Sequence, residues 1–300
     1  MENQIGKTKI IGISIIAVTL STIFAIIAHA ILPAEVNVDE FDSFFVKALG
    51  FPVIASLYFL ILFTHCTVTT CYFGKKSSMT GNQIGLRFGL SFALIYLIGM
   101  QEIVVEASPF SVWGMDFVKY QIFMGLSDAI PVFILCLVIG HFTVKNNLKD
   151  IRKNNLLNTI TTICFITFAI FVIRIICYKS GIIHSNYYEY PLQCSIWTIL
   201  FGATFGFIYI FLKPIYKNMK SYNTKLILLT IGLNWIIFNC FIGLIFRGLM
   251  PQMIFRSTID IFVFYVIIML LEKTKKNAKM FKCTNSQQAV GRKHGGQNSK

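Results

Sequence analysis

The sequence is poor in charge and lacks the motifs that mark common soluble enzymes. Only 13% of its 300 residues are charged, whereas 55% are hydrophobic. A water-soluble domain cannot bury so much apolar surface. There is no Gly-x-x-x-x-Gly-Lys-Ser/Thr, no Gly-x-Ser-x-Gly and no His-Glu-x-x-His segment. These absences argue against a P-loop ATPase, a serine hydrolase and a zinc peptidase, and the sequence predicts no cofactor.

Uncharged apolar runs divide the chain into eight predicted membrane spans. At about 1.5 Å rise per residue, a run of about 20 residues crosses a hydrocarbon core of about 30 Å. Continuous runs rich in Ile, Leu and Phe favour helices over the alternating strands of a barrel. The predicted spans are 10–31, 51–73, 84–100, 126–144, 157–178, 194–212, 226–246 and 253–271. The sequence therefore predicts an all-α, polytopic integral membrane protein with a transmembrane domain over residues 1–272.

Lysine and arginine residues are concentrated on alternate sides of these spans. Positive residues in short loops resist translocation, so the richer side is expected to face the cytoplasm. The N-terminus, the second, fourth and sixth loops and the tail hold 21 of them, against five in the other loops. This split predicts a cell-membrane protein with both termini in the cytoplasm. The first apolar stretch exceeds the roughly 7 to 15 residues of a signal peptide, which favours an uncleaved first span.

The formal net charge of +14 belongs mainly to the predicted cytoplasmic loops and tail. No basic stretch is interleaved with aromatic residues as in nucleic-acid-binding modules, so no nucleic-acid partner is predicted. Residues 273–300 are expected to form a basic tail, disordered from Thr284 onward because of its Gln, Asn, Gly and Ser content. Five lysines from Lys273 to Lys282 are ordinary topogenic charges, with anionic lipid headgroups as a further expected partner. The sequence leaves the oligomeric state and any membrane partner open, and a small-molecule substrate is a further possible partner.

The two halves of the chain resemble each other in two places. The paired segments are Phe51-Pro52 with Tyr190-Pro191, which open spans 2 and 6, and Ser127-Asp128 with Ser257-Thr258-Ile259-Asp260, in spans 4 and 8. Four spans per half would give both halves the same orientation. The pattern therefore suggests a four-plus-four parallel repeat.

A few charged residues fall within or at the ends of the predicted spans. A charge near the bilayer centre costs about 3 kcal/mol or more unless it is paired or solvated, so each one is a candidate functional group. The candidates for a substrate or ion pathway are Asp128, Asp260, Arg256, Arg174, Glu102, Glu106, Arg247 and His29. In the predicted orientation all of them lie in the outer half of the membrane, where they could form a vestibule with His184, Tyr187, Tyr188 and Tyr190.

Two pairs of candidates are spaced four residues apart. Arg256 and Asp260 share one face of span 8, as a functional site or as a buried ion pair that fixes helix packing. Glu102 and Glu106 share one face if the third helix continues past Met100. Arg174, like Arg247, has the alternative of extending its side chain to the interface.

Cysteines provide little further functional signal. Five of the eight lie inside spans, where cysteine behaves as a small apolar residue. Only Cys177 and Cys194 share the predicted outer edge, so a disulfide between them stays open. His65, Cys66 and Cys71 do not share a helical face, and no metal site is predicted.

Three functions are compatible with this pattern. The favoured one is a secondary transporter or permease for a small solute or ion, with Asp128, Asp260 and Arg256 along its path. A second is a membrane-embedded enzyme acting on a lipid or isoprenoid headgroup at the outer leaflet. Its acid or base would be Glu102, Asp128 or His29, and Arg256 or Arg247 would bind phosphate. A third is a non-catalytic membrane subunit, sensor or immunity-type protein.

Overall fold

The computed structural model describes residues 6–32, 42–106, 114–143, 156–217 and 225–295. Within these ranges, eight helices are long and apolar enough to cross a membrane. We number them spans 1 to 8: Thr8–Ile31, Phe51–Lys76, Gly81–Val105, Met115–Thr143, Leu156–Lys179, Pro191–Tyr216, Leu228–Ile245 and Met250–Thr274. The chain is an all-α, multi-pass membrane protein, as the sequence predicts.

The helix boundaries follow the predicted spans closely, with one exception. The elements are α1 (Lys7–Ile31), α2 (Phe44–Leu49), α3 (Phe51–Lys76), α4 (Gly81–Met100), α5 (Glu102–Val105), α6 (Met115–Thr143), α7 (Leu156–Lys179), α8 (Pro191–Lys217), α9 (Lys225–Ile227), a π-helical turn (Leu228–Gly232), α10 (Leu233–Ile245) and α11 (Met250–Gly295). Span 4 begins at Met115, whereas hydropathy predicted its start near Leu126. The prediction started too late because the first turns of this helix are polar. Asp116 and Lys119 form an exposed ion pair of 3.0 Å in these turns. A hydropathy window does not assign such a charged segment to a span.

The last helix continues beyond the membrane. α11 runs to Gly295, whereas the sequence suggested a disordered tail from Thr284. Residues 273–290 contain neither glycine nor proline, so no residue in this stretch breaks a helix. Residues 296–300 lie outside the described residues.

Span 3 lies deepest in the bundle, and its glycines explain why. A Cβ added to Gly85 would lie 2.5 Å from the Cys136 carbonyl oxygen of span 4. A Cβ added to Gly140 of span 4 would lie 2.4 Å from the carbonyl oxygen of Gly81. Glycine at these positions lets the two backbones touch, as small residues do between membrane helices. Gly81 and Gly85 of span 3 and Gly140 of span 4 therefore allow the two helices to pack closely.

The bundle has two ends, which we name from the chain. The near face carries Gly6 and the end of span 8. The far face carries residues 42–50, 106, 180–190 and 246–249. Gln101 interrupts span 3 near the far face but keeps a right-handed helical conformation, with φ −71° and ψ −15°. Because the chain direction is maintained, Glu102 and Glu106 both stay at the far face.

Several packing contacts recur in the two halves. Spans 1 and 2 pack together as spans 5 and 6 do, spans 3 and 4 as 7 and 8 do, and spans 1 and 4 as 5 and 8 do. Across the halves, span 3 packs against span 6 and span 2 against span 7, which are equivalent contacts. Spans 1 and 5 are the least buried of the eight. These recurring contacts are those expected of two parallel four-span repeats, whereas the close packing of span 2 against span 4 has no equally extensive counterpart between spans 6 and 8.

The far-face loops follow the same correspondence. The loop before span 2 reaches span 7, where the backbone N–H of Ser43 donates to the Ile245 carbonyl at 2.8 Å. The loop before span 6 reaches span 3, where the N–H of Asn186 donates to the Val105 carbonyl at 3.0 Å. Each half therefore fixes the far end of one helix of the other half.

Candidate functional site

Five charged side chains at the far face form one continuous chain of ion pairs. Its order is Asp260, Arg174, Glu102, Arg256, Glu106, and we call it the far-face charge network. Arg174 Nη1 lies 2.7 Å from Glu102 Oε1. Arg256 lies between the two glutamates, with Nη2 3.4 Å from Glu102 Oε2 and Nη1 3.0 Å from Glu106 Oε1. Spans 3, 5 and 8 are thereby joined.

The connection between Arg174 and Asp260 is the most direct pair in the network. Arg174 Nε donates to Asp260 Oδ1 at 2.7 Å, and Nη2 donates to Oδ2. The guanidinium also donates to the Tyr178 hydroxyl at 3.0 Å and lies 5.0 Å from the centre of the Trp197 ring. A planar fork that binds a carboxylate at two points and stacks on aromatic rings is a role for arginine and not for lysine.

Two residues of span 7 form hydrogen bonds to the far-face charge network. The Trp235 indole N–H donates to Asp260 Oδ2 at 3.1 Å. The Asn239 side-chain oxygen accepts from Arg256 Nε at 3.2 Å and from Nη2 at 3.1 Å. These neutral partners orient the charged groups and occupy hydrogen-bonding positions that water would otherwise fill.

The network is almost completely buried. The side chains of Arg174, Arg256, Glu102, Glu106 and Asp260 are each 2% exposed. With all groups ionised, three carboxylates and two guanidiniums leave a net charge of −1. Burying charges is costly unless each is paired and hydrogen-bonded, which this arrangement largely achieves. The remaining negative charge favours a positively charged ligand or a proton at this site.

A narrow cleft separates the network from the far-face surface. Its lining residues are Glu102, Val105, Glu106, Arg174, Tyr178, Ile183, His184, Ser185 and Arg256. In this conformation the cleft has no room for a water molecule. Two of its buried atoms, Glu102 Oε2 and Ser185 Oγ, have no hydrogen-bond partner among the described residues. Burial raises the pKa of Glu106 above its ordinary value, while Arg256 beside it acts in the opposite direction.

The structure changes how two predicted residues are paired. Arg256 and Asp260, predicted to pair along one face of span 8, instead bind different partners: Arg256 binds the glutamates of span 3, and Asp260 binds Arg174 of span 5. Sequence spacing missed these contacts because they join residues 72 or more positions apart. Arg174 is buried and does not extend to the interface. Arg247 is exposed and lies outside the network.

The tyrosines of the predicted vestibule have separate places. Tyr187 packs near Tyr178, with ring centres 6.0 Å apart. Tyr188 is exposed and donates to the Lys179 carbonyl at 2.8 Å. Of this loop, only Ile183, His184 and Ser185 reach the cleft. The single vestibule predicted from the sequence is therefore a smaller cleft.

His29 and Asp128 form a second charged site in the first half. His29 Nε2 lies 2.7 Å from Asp128 Oδ1, and their side chains are 14% and 4% exposed. This pair joins spans 1 and 4, as Arg174 and Asp260 join spans 5 and 8. The two sites are therefore equivalent under the correspondence between the halves.

A neutral polar cluster lies deeper, at the interface of the halves. Asn234 of span 7 donates to the Tyr96 hydroxyl at 3.0 Å and approaches Cys66 Sγ at 3.4 Å. Cys66 Sγ lies 3.1 Å from the Tyr96 hydroxyl. The Asn234 side-chain oxygen has no hydrogen-bond partner among the described residues. We call Cys66, Tyr96 and Asn234 the central polar cluster. Its Asn234 lies two residues after the π-helical turn, and π-helical turns are frequent at functional sites.

Span 3 also contacts the second half towards the near face. Its Arg87 donates through Nη1 to the Phe211 carbonyl of span 6 and lies 4.7 Å from the centre of the Phe211 ring. Sequence analysis had counted Arg87 only as a topogenic charge. Lys213 is a second such case, since it is buried and forms an ion pair with Glu272 of span 8. In the sequence, a lysine or arginine that only sets the topology cannot be distinguished from one that also binds a neighbouring helix, because both occur near the ends of predicted spans.

The cysteines and potential metal ligands do not form a site in the described residues. Cys177 and Cys194 are both buried free thiols. No group of three or more His, Cys, Asp or Glu side chains in the described ranges is arranged to hold a metal ion.

Taken together, the fold and these contacts define a multi-pass helical membrane protein with a buried charge network inside its bundle. Comparison with known protein families, with curated proteins and with solved structures finds no match to this chain.

Proposed function

We propose that this protein is a secondary transporter or permease for a small solute or ion, with its pathway between the two four-span halves. One observation carries the proposal: span 3 is attached to the second half at both ends. Glu102 binds Arg174 and Arg256 near the far face, and Arg87 binds Phe211 towards the near face. A carrier that exposes its site to each side in turn needs one closure on each side.

The central polar cluster supports this location of the pathway. It lies between the two closures, on spans 2, 3 and 7, where the halves meet. Transporters with internal repeats bind their substrates at such interfaces. The unsatisfied oxygen of Asn234 supplies an acceptor for a polar solute. A buried polar group without a partner is costly in a bilayer, which favours a functional reason for it.

The electrostatics of the far-face charge network favour a cationic or proton-linked solute. With all five groups ionised, its net charge of −1 attracts cations and repels anions. The same geometry argues against an enzyme that grips a phosphate headgroup, because Arg174 and Arg256 are already bound to carboxylates. Freeing either guanidinium would leave a carboxylate buried without its partner.

We infer that the protein resides in the cell membrane with its near face in the cytoplasm. The lysine and arginine distribution supports this orientation. The far-face charge network then closes the external side, and the Arg87 contact closes the internal side. Anionic lipids at the inner leaflet are the proposed partners of the basic stretch after span 8.

The proposal is tested by water access to Cys66, for which no substrate need be known. A variant that retains only this cysteine, with the others replaced by serine or alanine, is labelled with a membrane-impermeant thiol reagent. Glu102→Gln is expected to open the external closure and accelerate labelling from the far face. Arg87→Met is expected to accelerate labelling from the near face. Arg247→Gln, an exposed far-face arginine outside the network, is the matched control and is expected to label slowly from both sides.

The result that would overturn the proposal is equally specific. If Cys66 stays unreactive in both variants, and each elutes as a folded monodisperse species, the network and the Arg87 contact are packing elements only. Uptake of small cations into proteoliposomes then gives the substrate class. Equal uptake by the unmodified protein and Glu102→Gln for every cation tried would count against a transport role for the network.

A further inference from the structure

The first half contains a titratable counterpart of the far-face charge network. Asp128 on span 4 pairs with His29 on span 1, where Asp260 on span 8 pairs with Arg174 on span 5. The two acids lie on equivalent spans, but their cations differ chemically. Arginine stays charged at any physiological pH, whereas histidine can lose its proton near neutrality.

Among the described residues, the spans packed against span 1 place one titratable hydroxyl near the pair, with Cys66 and Cys240 near that hydroxyl. Span 1 packs against spans 2 and 4. Span 4 presents Asp128, and span 2 presents Tyr58, whose hydroxyl interacts electrostatically with Asp128. Phe59 adds an apolar wall, with its ring centre 5.6 Å from that of His29. Among the described residues, no lysine or arginine is paired with Asp128, so its charge is balanced only by a protonated His29.

The pair also has an incomplete hydrogen-bonding environment. The Tyr58 hydroxyl is fully buried and has no hydrogen-bond partner among the described residues. By counting from the two prolines that open spans 2 and 6, Tyr58 corresponds to Trp197, the residue beside Arg174. Where the second half has an aromatic ring against a fixed cation, the first half therefore has a hydroxyl close to a titratable pair. A hydroxyl can donate to a carboxylate or accept from an imidazolium, so it can follow a change of protonation.

We propose that His29 and Asp128 form a proton-binding site that responds to the pH at the far face. In the proton-free form, the pair is a neutral imidazole beside a carboxylate, with a net charge of −1. One proton from the aqueous phase binds the unprotonated nitrogen of the imidazole ring. This gives an imidazolium–carboxylate pair with no net charge. No other bond changes. His29 is two residues from the end of α1 and partly exposed, which gives the proton access from the far face.

The site has a role in coupling that rests on the proposed function. Spans 1 and 4 belong to the first half, which must move against the second half for the two closures to alternate. Protonation converts the weak contact of an uncharged imidazole into a charged ion pair between spans 1 and 4. The first half is thereby held more rigidly when the far-face medium is acidic.

The proton site is tested by nitrogen NMR of purified protein carrying ¹⁵N-labelled histidines. The imidazole signal assigned to His29 by its absence in His29→Gln is expected to titrate in the unmodified protein and to move its midpoint by about 1 to 3 pH units in Asp128→Asn. His184→Gln removes an exposed far-face histidine and is expected to leave that signal unchanged. A His29 signal that is constant from pH 5 to 9, or that titrates identically in Asp128→Asn, would overturn the proposal.

Two milder variants keep the test informative if these variants fail to fold. His29→Arg retains the ion pair and is expected to fold while removing the titration. Tyr58→Phe removes only the hydroxyl and is expected to shift the His29 midpoint measurably, and an unchanged midpoint would show that the hydroxyl takes no part. The NMR result does not depend on any solute movement. If His29 titrates but Cys66 stays unreactive in the closure variants, the proton site is retained and the transport proposal is rejected. If Cys66 becomes reactive but His29 does not titrate, the transport proposal is retained and the proton site is rejected.

Discussion

Arg174 and Asp260 meet in a two-point contact, in which Arg174 Nε donates to one carboxylate oxygen at 2.7 Å and Nη2 donates to the other. The two residues are 86 positions apart in the chain and come from spans 5 and 8. Arg174 also binds Glu102 of span 3, so this one guanidinium connects both halves of the bundle. The stability of the far end of the bundle should therefore depend strongly on this residue.

Arg174→Met should destabilise the protein by about 3 to 5 kcal/mol, because it leaves Asp260 and Glu102 buried without their cation. The free energy of unfolding is measured by dodecyl sulfate titration in mixed micelles. Arg174→Lys should recover only part of the loss, since an ammonium cannot bind both oxygens of Asp260 through a planar fork. Arg247→Met is the control and should change stability by less than about 0.5 kcal/mol. Equal losses for Arg174→Met and the control would contradict the importance of this contact.

Glu106 should impose a pH dependence on stability. Burial raises its pKa above the ordinary 4.5, so the folded protein binds this proton more tightly than the unfolded chain. Its contribution is therefore fully present below the unfolded-state pKa and is lost as the pH rises through the folded-state pKa. Glu106→Gln should remove this part of the fall in melting temperature as the pH rises above about 4.5. Glu189→Gln, an exposed far-face glutamate, should retain it, and an unchanged profile in Glu106→Gln would argue that Glu106 does not titrate in this range.

Gly140→Ala should destabilise the contact between spans 3 and 4. Its new methyl group would lie 2.4 Å from the Gly81 carbonyl oxygen and 2.8 Å from Gly85 Cα, both backbone atoms. Overpacking of this kind costs about 1 to 3 kcal/mol. Gly12→Ala, in span 1, has no neighbouring atom within 4 Å of the added methyl and should be neutral or slightly stabilising. Comparable melting temperatures for the two variants would show that the helices can separate without loss.

The orientation can be tested with paired reporter fusions. Alkaline phosphatase fused after residue 185 should be active, because this loop is expected outside the cell. A fluorescent protein fused after residue 295 should be bright, since the end of α11 is expected in the cytoplasm. The same reporters exchanged between the two positions provide the control. An active phosphatase at residue 295 would reverse the orientation and place the far-face charge network towards the cytoplasm.

Hydropathy and residue spacing predicted the spans because burial of apolar helices in lipid depends on local composition. The eight predicted spans therefore appear in the structure with small shifts, apart from the earlier start of span 4. The likeness between Phe51-Pro52 and Tyr190-Pro191 has its counterpart in the structure, where each segment lies at the start of a long helix. That likeness could be read locally, because each segment opens a helix at the same face.

The sequence alone determined which residues are costly in a membrane, and it predicted that Glu102 and Glu106 share one end of the bundle. Only the tertiary structure decided their partners, since Arg174 binds Asp260 across 86 residues and Arg256 turns away from its neighbour on span 8. It also separated His29 and Asp128 from the far-face charge network and gave Arg87 a contact between the halves. Hydrophobicity is a property of each residue, whereas an ion pair depends on which helices pack together, and helical periodicity does not specify that.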